Sequence, residues 1–128
     1  MPWNPGTAEF LSPATSTAGE FNLKTVLALG DVAVVLSAAE MDGGIVTHAP
    51  AVARVLTTDT AAAIIAQLSG SVDGTHFELT VVNTGASTST LAGGAGVTIV
   101  GAALVSSLTS GTFRVRRAAS STVVAYRI

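Results

Sequence analysis

The chain is a series of short apolar runs separated by turn residues. From Leu23 onward the runs are rich in Val, Ile, Ala and Thr, and they end at Gly, Pro, Asp or Asn. Runs of this length and composition are typical of β-strands. Four strands are predicted first, in LKTVLAL, VAVVLSA, IVTHA and AVARVLTT. Six more are predicted later, in HFELTVVN, TSTLA, GVTIVG, ALVSSL, TFRVRRA and TVVAYRI.

Two of these segments alternate between apolar and polar residues. Leu79 and Val81 alternate with polar positions in HFELTVVN, and Phe113 and Val115 alternate with arginines in TFRVRRA. A period of two residues indicates a strand with one buried face. The regular spacing of strands and turns predicts a mainly β protein, a single antiparallel β-sandwich or barrel of jelly-roll-like form.

One segment has a helical pattern. TTDTAAAIIAQLSG offers capping residues, an Ala-rich body, and Ile64, Ile65 and Leu68 at the spacing of one helical face. Gly70 lies where a C-cap belongs. One short helix is therefore predicted near residues 59–68, and no other.

The first 22 residues differ from the rest of the chain. They hold three of the four prolines, so an extended arm is expected. They have neither the basic start nor the apolar run of a secretory signal, so the protein is expected to be made in the cytoplasm. The arm nevertheless contains Trp3, Phe10 and Leu11. Either these side chains fold back on the domain of residues 23–128, or they anchor the arm on another subunit.

Composition limits the 128 residues to one domain plus an arm. They are 48% hydrophobic and 11% charged, roughly half the charged share of an ordinary soluble domain. Much of the surface is therefore Thr, Ser and Ala, or is covered by partners. The chain has no cysteine for disulfides or thiolate chemistry, no basic footprint for nucleic acid, and no uninterrupted apolar run of membrane-spanning length.

The charges are segregated along the chain. Every Asp and Glu lies at or before Glu78, and four arginines follow it. In a monomer these arginines would pair with acids that folding brings close. Alternatively, a basic end strand meets an acidic patch on a neighbouring subunit. The candidates for such a subunit interface are Arg114, Arg116, Arg117 and Arg127.

The glycine-rich stretch AGGAG, residues 92–96, raises the question of a phosphate-binding loop. A P-loop needs Lys and Ser or Thr after its last glycine, whereas Gly96 is followed by Val97 and Thr98. The dinucleotide fingerprint also fails, because a strand follows where a helix should begin. Glycines that reverse the chain tightly account for the stretch without a cofactor.

Catalytic and metal sites find little support. No serine lies in a Gly-x-Ser-x-Gly elbow. His76 could form a weak metal-binding cluster with Asp73 and Glu78. The simpler interpretation is that His76 lies at the start of a strand and has no chemical role. Glu40 and Asp42 resemble the carboxylate pair of a glycosidase, yet few aromatic residues are available to stack a sugar. No catalytic, cofactor or metal residue is assigned, and the protein is not expected to be an enzyme.

The segments FELTVVNTGASTSTLAGGAGVTIVG, SGTFRVRRA and VVAYRI resemble a sequence texture of tailed-bacteriophage virion proteins, notably small capsid decoration (cement) proteins and distal fibre domains. The resemblance covers residues 57–128, including the predicted helix. It implies a compact β domain that binds the outside of an assembled capsid as a homotrimer and clamps adjacent major capsid subunits. Location on the virion surface and partners limited to itself and the major capsid protein follow from the same resemblance.

A fibre-tip module that recognises a host glycan is the alternative from another class. Such a module is expected to expose aromatic residues on loops. Trp3 lies in the arm, whereas four other aromatic residues lie in or beside apolar runs: Phe21, Phe77, Phe113 and Tyr126. The sequence therefore favours decoration, with contact to the capsid through an arm that carries Trp3, Phe10 and Leu11.

Overall fold

A computed structural model of the chain describes residues 24–128. The predicted arm of residues 1–22 therefore lies outside the described residues. The described strands are β1 (Leu27–Leu29), β2 (Val34–Val35), β3 (Ile45–His48), β4 (Arg54–Thr57), β5 (His76–Asn83), β6 (Ser89–Ala92), β7 (Val97–Val100), β8 (Leu104–Val105), β9 (Ser110–Ala119) and β10 (Thr122–Arg127). The described helices are α1 (Ala38–Asp42) and α2 (Ala61–Gln67). The prediction of a mainly β protein is confirmed.

The strands form two sheets. The six-stranded sheet has the order β1-β3-β5-β9-β10-β7, and the four-stranded sheet has the order β2-β4-β6-β8. The chain thus alternates between the two sheets from β1 to β9, and only the last pair, β9 and β10, are consecutive strands in one sheet. The glycine-rich stretch is a turn, as predicted, but it carries the chain from β6 in one sheet to β7 in the other.

This alternation makes many strand pairs parallel. Strands β1, β3 and β5 are parallel neighbours, as are β2, β4 and β6, and β7 is parallel to β10. The prediction of an antiparallel assembly is therefore wrong for five of the eight pairs; the other three are antiparallel. Parallel neighbours need a long crossover. Here each crossover contains a strand of the other sheet, and four of the five also contain a helix.

Helix α1 is a second helix, so the prediction of a single helix is wrong. Ser37 caps it: the Ser37 hydroxyl accepts from the Glu40 amide, and the Glu40 carboxylate accepts from the Ser37 amide. This reciprocal capping box satisfies two amides at the start of the helix. Gly44, with φ of 90°, then turns the chain into β3.

Helix α2 confirms the helix predicted near residues 59–68. Thr60 is its N-cap and accepts from the Ala63 amide. The helix ends earlier than predicted, with Leu68 as its C-cap, and Gly70 lies in the turn that follows with φ of 76°.

Both sheets and both helices contribute to one core. Its buried side chains are Leu36, Ala38, Met41, Val46, Leu56, Ala61, Ile64, Leu79, Val81, Leu91, Val105, Phe113, Val115, Val123 and Ala125. The predicted inward alternation of Phe113 and Val115 is confirmed, and Arg114 between them is exposed. The outward sides of the sheets remain available as candidate sites.

Candidate functional site

The outward side of the four-stranded sheet carries no charged residue. Strand pairing places Thr57 between Val35 and Ala92, and Thr90 between Val55 and Leu104. We call these six residues the uncharged face. Val35 is 66% exposed, Val55 43% and Leu104 46%. A cluster of exposed apolar side chains on a protein surface is typical of a site of contact with another macromolecule.

The outward side of the six-stranded sheet is different, because it is basic. His76 pairs with Arg116 and Glu78 pairs with Arg114 across β5 and β9, and β10 adds Val124 and Tyr126 beside the same two arginines. We call His76, Glu78, Arg114, Arg116, Val124 and Tyr126 the basic face, because its two arginines outnumber its one glutamate. Arg114 Nη2 lies 2.9 Å from Glu78 Oε2, so this arginine already has a partner on the neighbouring strand.

Arg117 and Arg127 are also held within the chain. Arg117 donates to the Ser71 carbonyl, and its Nε lies 3.3 Å from Asp73 Oδ1 without hydrogen-bond geometry. Arg127 donates to the carbonyls of Ala102 and Leu104, and its guanidinium lies 5.4 Å from the centre of the Phe113 ring.

Of the four predicted interface arginines, Arg116 and Arg127 have no carboxylate within 4 Å among residues 24–128, and Arg127 has backbone carbonyls as partners. Arg116 projects from β9 on the outward side and is half-buried. The structure therefore brings Arg114 and Arg116 together on one face, and it places Arg117 and Arg127 in separate contacts within the fold.

Two buried polar side chains fix the loops at one end of the molecule. His48 is fully buried, with Nε2 2.7 Å from the Val32 carbonyl and Nδ1 2.7 Å from Ser89 Oγ. Because a carbonyl can only accept, Nε2 carries the hydrogen. Asn83 donates to the carbonyls of Ser87 and Val105. These contacts connect β3 and β5 of the six-stranded sheet to β6, β8 and adjoining loops of the four-stranded sheet.

A groove of about 320 Å³ lies beside these loops, lined by Val82, Asn83, Thr84, Leu108, Thr109 and Ser110. Leu108 has φ of 60° and is 78% exposed. A bulky residue rarely adopts a positive φ, and this one is held there by a turn in which the Thr109 amide and hydroxyl both donate to the Ser106 carbonyl. The lining offers apolar and hydroxyl contacts but no charge.

The carboxylates that the sequence offers as catalytic candidates have structural partners. Glu40 caps α1, and Asp42 accepts from Lys24 and Gln67. His76 is exposed at the start of β5, as predicted, with Nδ1 3.2 Å from the Gly74 carbonyl. Within the described part of the chain, no three His, Asp or Glu side chains are grouped as a metal site would require.

The ion pair between Asp31 and Arg54 shifts the pKa of both side chains. Arg54 Nε lies 3.0 Å from Asp31 Oδ1, and the Ala51 amide donates to the same oxygen. The Arg54 hydrogen bond, followed by that of Ala51, lowers the pKa of Asp31 below its usual 3.8, and the same pair raises the pKa of Arg54. The pair joins the loop before β2 to the first residue of β4.

The glycine-rich stretch packs against the start of α2. The Gly94 amide donates to Thr58 Oγ1, and a side chain at Gly94 would lie 2.6 Å from the Thr58 carbonyl oxygen. The amide of Ala61, the first residue of α2, donates to the Ala95 carbonyl. These contacts explain the small residues through packing within the protein, which agrees with the interpretation of the stretch as a turn.

Trp3, Phe10 and Leu11 lie outside the described residues, so their assignment to a capsid-contact arm stays a prediction. No helix among residues 24–128 has the length and apolar character to cross a membrane. No protein-family model, curated protein or solved structure matches the chain.

Sequence reasoning missed the uncharged face. The strands VV, RVLT, STLA and LV are each too short for an alternation to indicate which side is outward. A usable signal was the absence of charge: in the described residues, only Arg54 of these four strands is charged, and it points away from this face toward Asp31.

Proposed function

We propose that this protein is a structural virion protein that binds the outside of an assembled tailed-phage capsid as a homotrimer and cements adjacent major capsid subunits. We further propose that its two sheets stack as a compact sandwich. The protein would be made in the host cytoplasm and act on the capsid surface without a cofactor, catalysis, nucleic acid or membrane.

The uncharged face is the observation that carries this proposal. A protein that attaches permanently to a lattice needs a surface whose burial is favourable, and burial of apolar side chains supplies that free energy. Val35, Val55 and Leu104 offer apolar area, while Thr57 and Thr90 offer hydroxyls for contacts with the partner. The resemblance of residues 57–128 to decoration proteins supports the same function.

Attachment through such a face stabilises the capsid by mass action. A ligand that binds the assembled lattice and not its free subunits shifts the equilibrium toward assembly. Trimerisation strengthens this effect, because the second and third copies bind at a high effective concentration once the first is seated. In this proposal Trp3, Phe10 and Leu11 add anchors on the lattice, and on the capsid Arg116 is the arginine freest to contact a neighbouring copy.

The test is co-sedimentation of purified protein with undecorated capsids of the source phage, preceded by mass determination from light scattering. We expect a trimer that saturates capsids at a fixed ratio. Val35→Glu should place a charge on the uncharged face and abolish saturation. Val72→Glu is the matched control, because Val72 is 68% exposed in a turn outside that face.

Two results would overturn the proposal. If Val35→Glu saturates capsids as the wild type does, the uncharged face is not the contact. If the wild-type protein ignores capsids and binds host cells, the fibre-tip alternative is favoured, and the groove beside Leu108 becomes the surface to mutate first.

A further inference from the structure

The basic face combines a positive charge with exposed apolar side chains, as a docking surface does. Arg116 has no carboxylate partner among residues 24–128, and it lies directly beside Val124 on β10. Two positions along β10, Tyr126 is 37% exposed, and its neighbour Val100 on β7 is 44% exposed. An occupant of this face should be acidic and should carry large apolar side chains.

Residues 1–23 of the same chain have that composition. They contain Glu9 and Glu20 but no Lys or Arg, so their side chains are oppositely charged to the face. They also contain Trp3, Phe10 and Phe21, which are large enough to cover Val124 and Tyr126. Opposite charge determines where such a segment docks, and apolar burial supplies most of its affinity.

The point at which this segment joins the domain favours the same face. Lys24 Nζ lies 3.0 Å from the Asp42 carbonyl, near the start of β3. Because β1, β3 and β5 are parallel, that end of the sheet also carries His76 at the start of β5, opposite Arg116. The segment therefore joins the domain at the end of the sheet that carries Arg116.

The distance is short for the length of chain. Strand β9 is the third neighbour from β1 in the sheet, which corresponds to about 14 Å at a spacing of about 4.8 Å. An extended segment of 23 residues can span roughly 75 Å. A few residues suffice to reach Arg116, and the remainder can lie along β9 and β10.

We propose that, in the free protein, residues 1–23 dock on the basic face of their own copy, with a glutamate of the segment paired to Arg116 and its aromatic side chains over Val124 and Tyr126. This docking covers apolar side chains that would otherwise promote aggregation. It goes beyond the proposed function, since it concerns the free protein and holds whether or not the protein binds capsids.

The chain contains its own probes for this docking. Trp3 is the only tryptophan and lies in the segment, and Tyr126 is the only tyrosine and lies on the basic face. Excitation of tyrosine should therefore produce tryptophan emission by energy transfer, which falls steeply with distance. We expect efficient transfer that does not change with protein concentration, and Trp3 emission that is shielded from acrylamide.

Two variants locate the docking site. Arg116→Glu should repel the segment, lower the transfer severalfold and expose Trp3 to acrylamide. Val55→Glu is the matched control, because it also adds a glutamate to an outward strand face but on the other sheet. It should leave both signals unchanged, and circular dichroism should show that both variants keep their strands.

Three outcomes would overturn the proposal, and none requires capsids, so its failure is distinguishable from failure of the proposed function. If acrylamide quenches wild-type Trp3 as freely as a short tryptophan peptide, the segment is not docked. If transfer rises with protein concentration, or appears when Trp3→Phe and Tyr126→Phe variants are mixed, the segment comes from a second copy. If Val55→Glu and not Arg116→Glu reduces transfer, the segment lies on the four-stranded sheet. The first two outcomes are decided without Arg116→Glu, even if that variant fails to fold.

Discussion

Asp59 is a single residue that holds the starts of both helices. Its Oδ2 accepts from the Ala38 amide at 2.9 Å, and its Oδ1 accepts from the Thr60 amide at 2.8 Å. Amides at the start of a helix have no partner within it, and a carboxylate there also interacts favourably with the helix dipole. Through Asp59 the segment that precedes α2 therefore stabilises α1.

Removing this carboxylate should cost about 1–2 kcal/mol of unfolding free energy, the range of a lost helix cap. We expect Asp59→Ala to show the full loss in urea denaturation. Asp59→Asn should lose less, because its remaining carbonyl oxygen can still accept one of the two amides. Equal losses in the two variants would show that charge, and not the number of acceptors, is what matters.

The Asp31–Arg54 pair makes stability depend on pH. The pKa of Asp31 is lowered in the folded protein by the Arg54 hydrogen bond and then by the Ala51 amide. A lowered folded pKa means that the pair stabilises the protein above the unfolded value of 3.8 and that this contribution is lost as pH falls through the folded pKa.

We therefore expect the wild type to be more stable than Asp31→Asn at neutral pH. The difference between their thermal midpoints should shrink once the pH falls below 3.8 and vanish when Asp31 is protonated in the folded state. A difference that stays constant across this window would assign the effect of the substitution to altered loop conformation and not to the carboxylate charge.

At the scale of elements, a glycine is required at one point where the chain changes sheet and not at another. A Cβ at Gly93, just after β6, would clash with the Val97 carbonyl oxygen. A Cβ at Gly30, just after β1, would meet no atom within 4 Å. The two positions have the same residue type and opposite steric surroundings.

Gly93→Ala should destabilise the protein by about 1–3 kcal/mol or more, because backbone must move to admit the methyl group. Gly30→Ala should be neutral or slightly stabilising, since it reduces the conformational freedom of the unfolded chain. Chemical denaturation of both variants checks the contrast. A loss at Gly30 as large as that at Gly93 would contradict the steric explanation.

Strands were the elements most readily predicted from the sequence, because turn residues bound each apolar run. Strand β5 coincides with HFELTVVN. Helix α1 was missed because five residues are too few for helical periodicity. Its signal was local: Ser37 followed three residues later by Glu40 is the pattern of a capping box.

At the scale of the whole molecule, strand direction could not be predicted from the runs themselves. A short Val-rich run has the same pattern whether its neighbour is parallel or antiparallel. The available signal was a repeat: VAVVLS at residues 32–37 and VARVLT at residues 52–57 each lead into a helix. Two strand–strand–helix units in succession imply crossovers, and crossovers place β1, β3 and β5 in parallel.

The buried polar contacts were beyond sequence reasoning for a related reason. His48 and Ser89 are 41 residues apart and belong to different sheets. Their contact depends on how the two sheets pack, which no local pattern specifies. The same holds for the uncharged face, whose members come from four strands that are separated along the chain by strands of the other sheet.

Because the chain alternates between the sheets, neither sheet can form from one continuous segment. Both also bury their inner sides in one core. We therefore expect the sheets to unfold together. Amide protons of β4 and β6 should exchange with the same opening free energy as those of β5 and β9, while the edge strands β1, β2, β7 and β8 exchange by smaller, local openings.

Leu79→Ala tests this coupling. Leu79 lies on β5 in the six-stranded sheet and is fully buried, so its truncation should cost about 2–5 kcal/mol. If the molecule is one cooperative unit, hydrogen exchange should show the same loss of opening free energy in β4 and β6 as in β5 and β9. A loss confined to the six-stranded sheet would mean that the two sheets unfold independently despite their shared core.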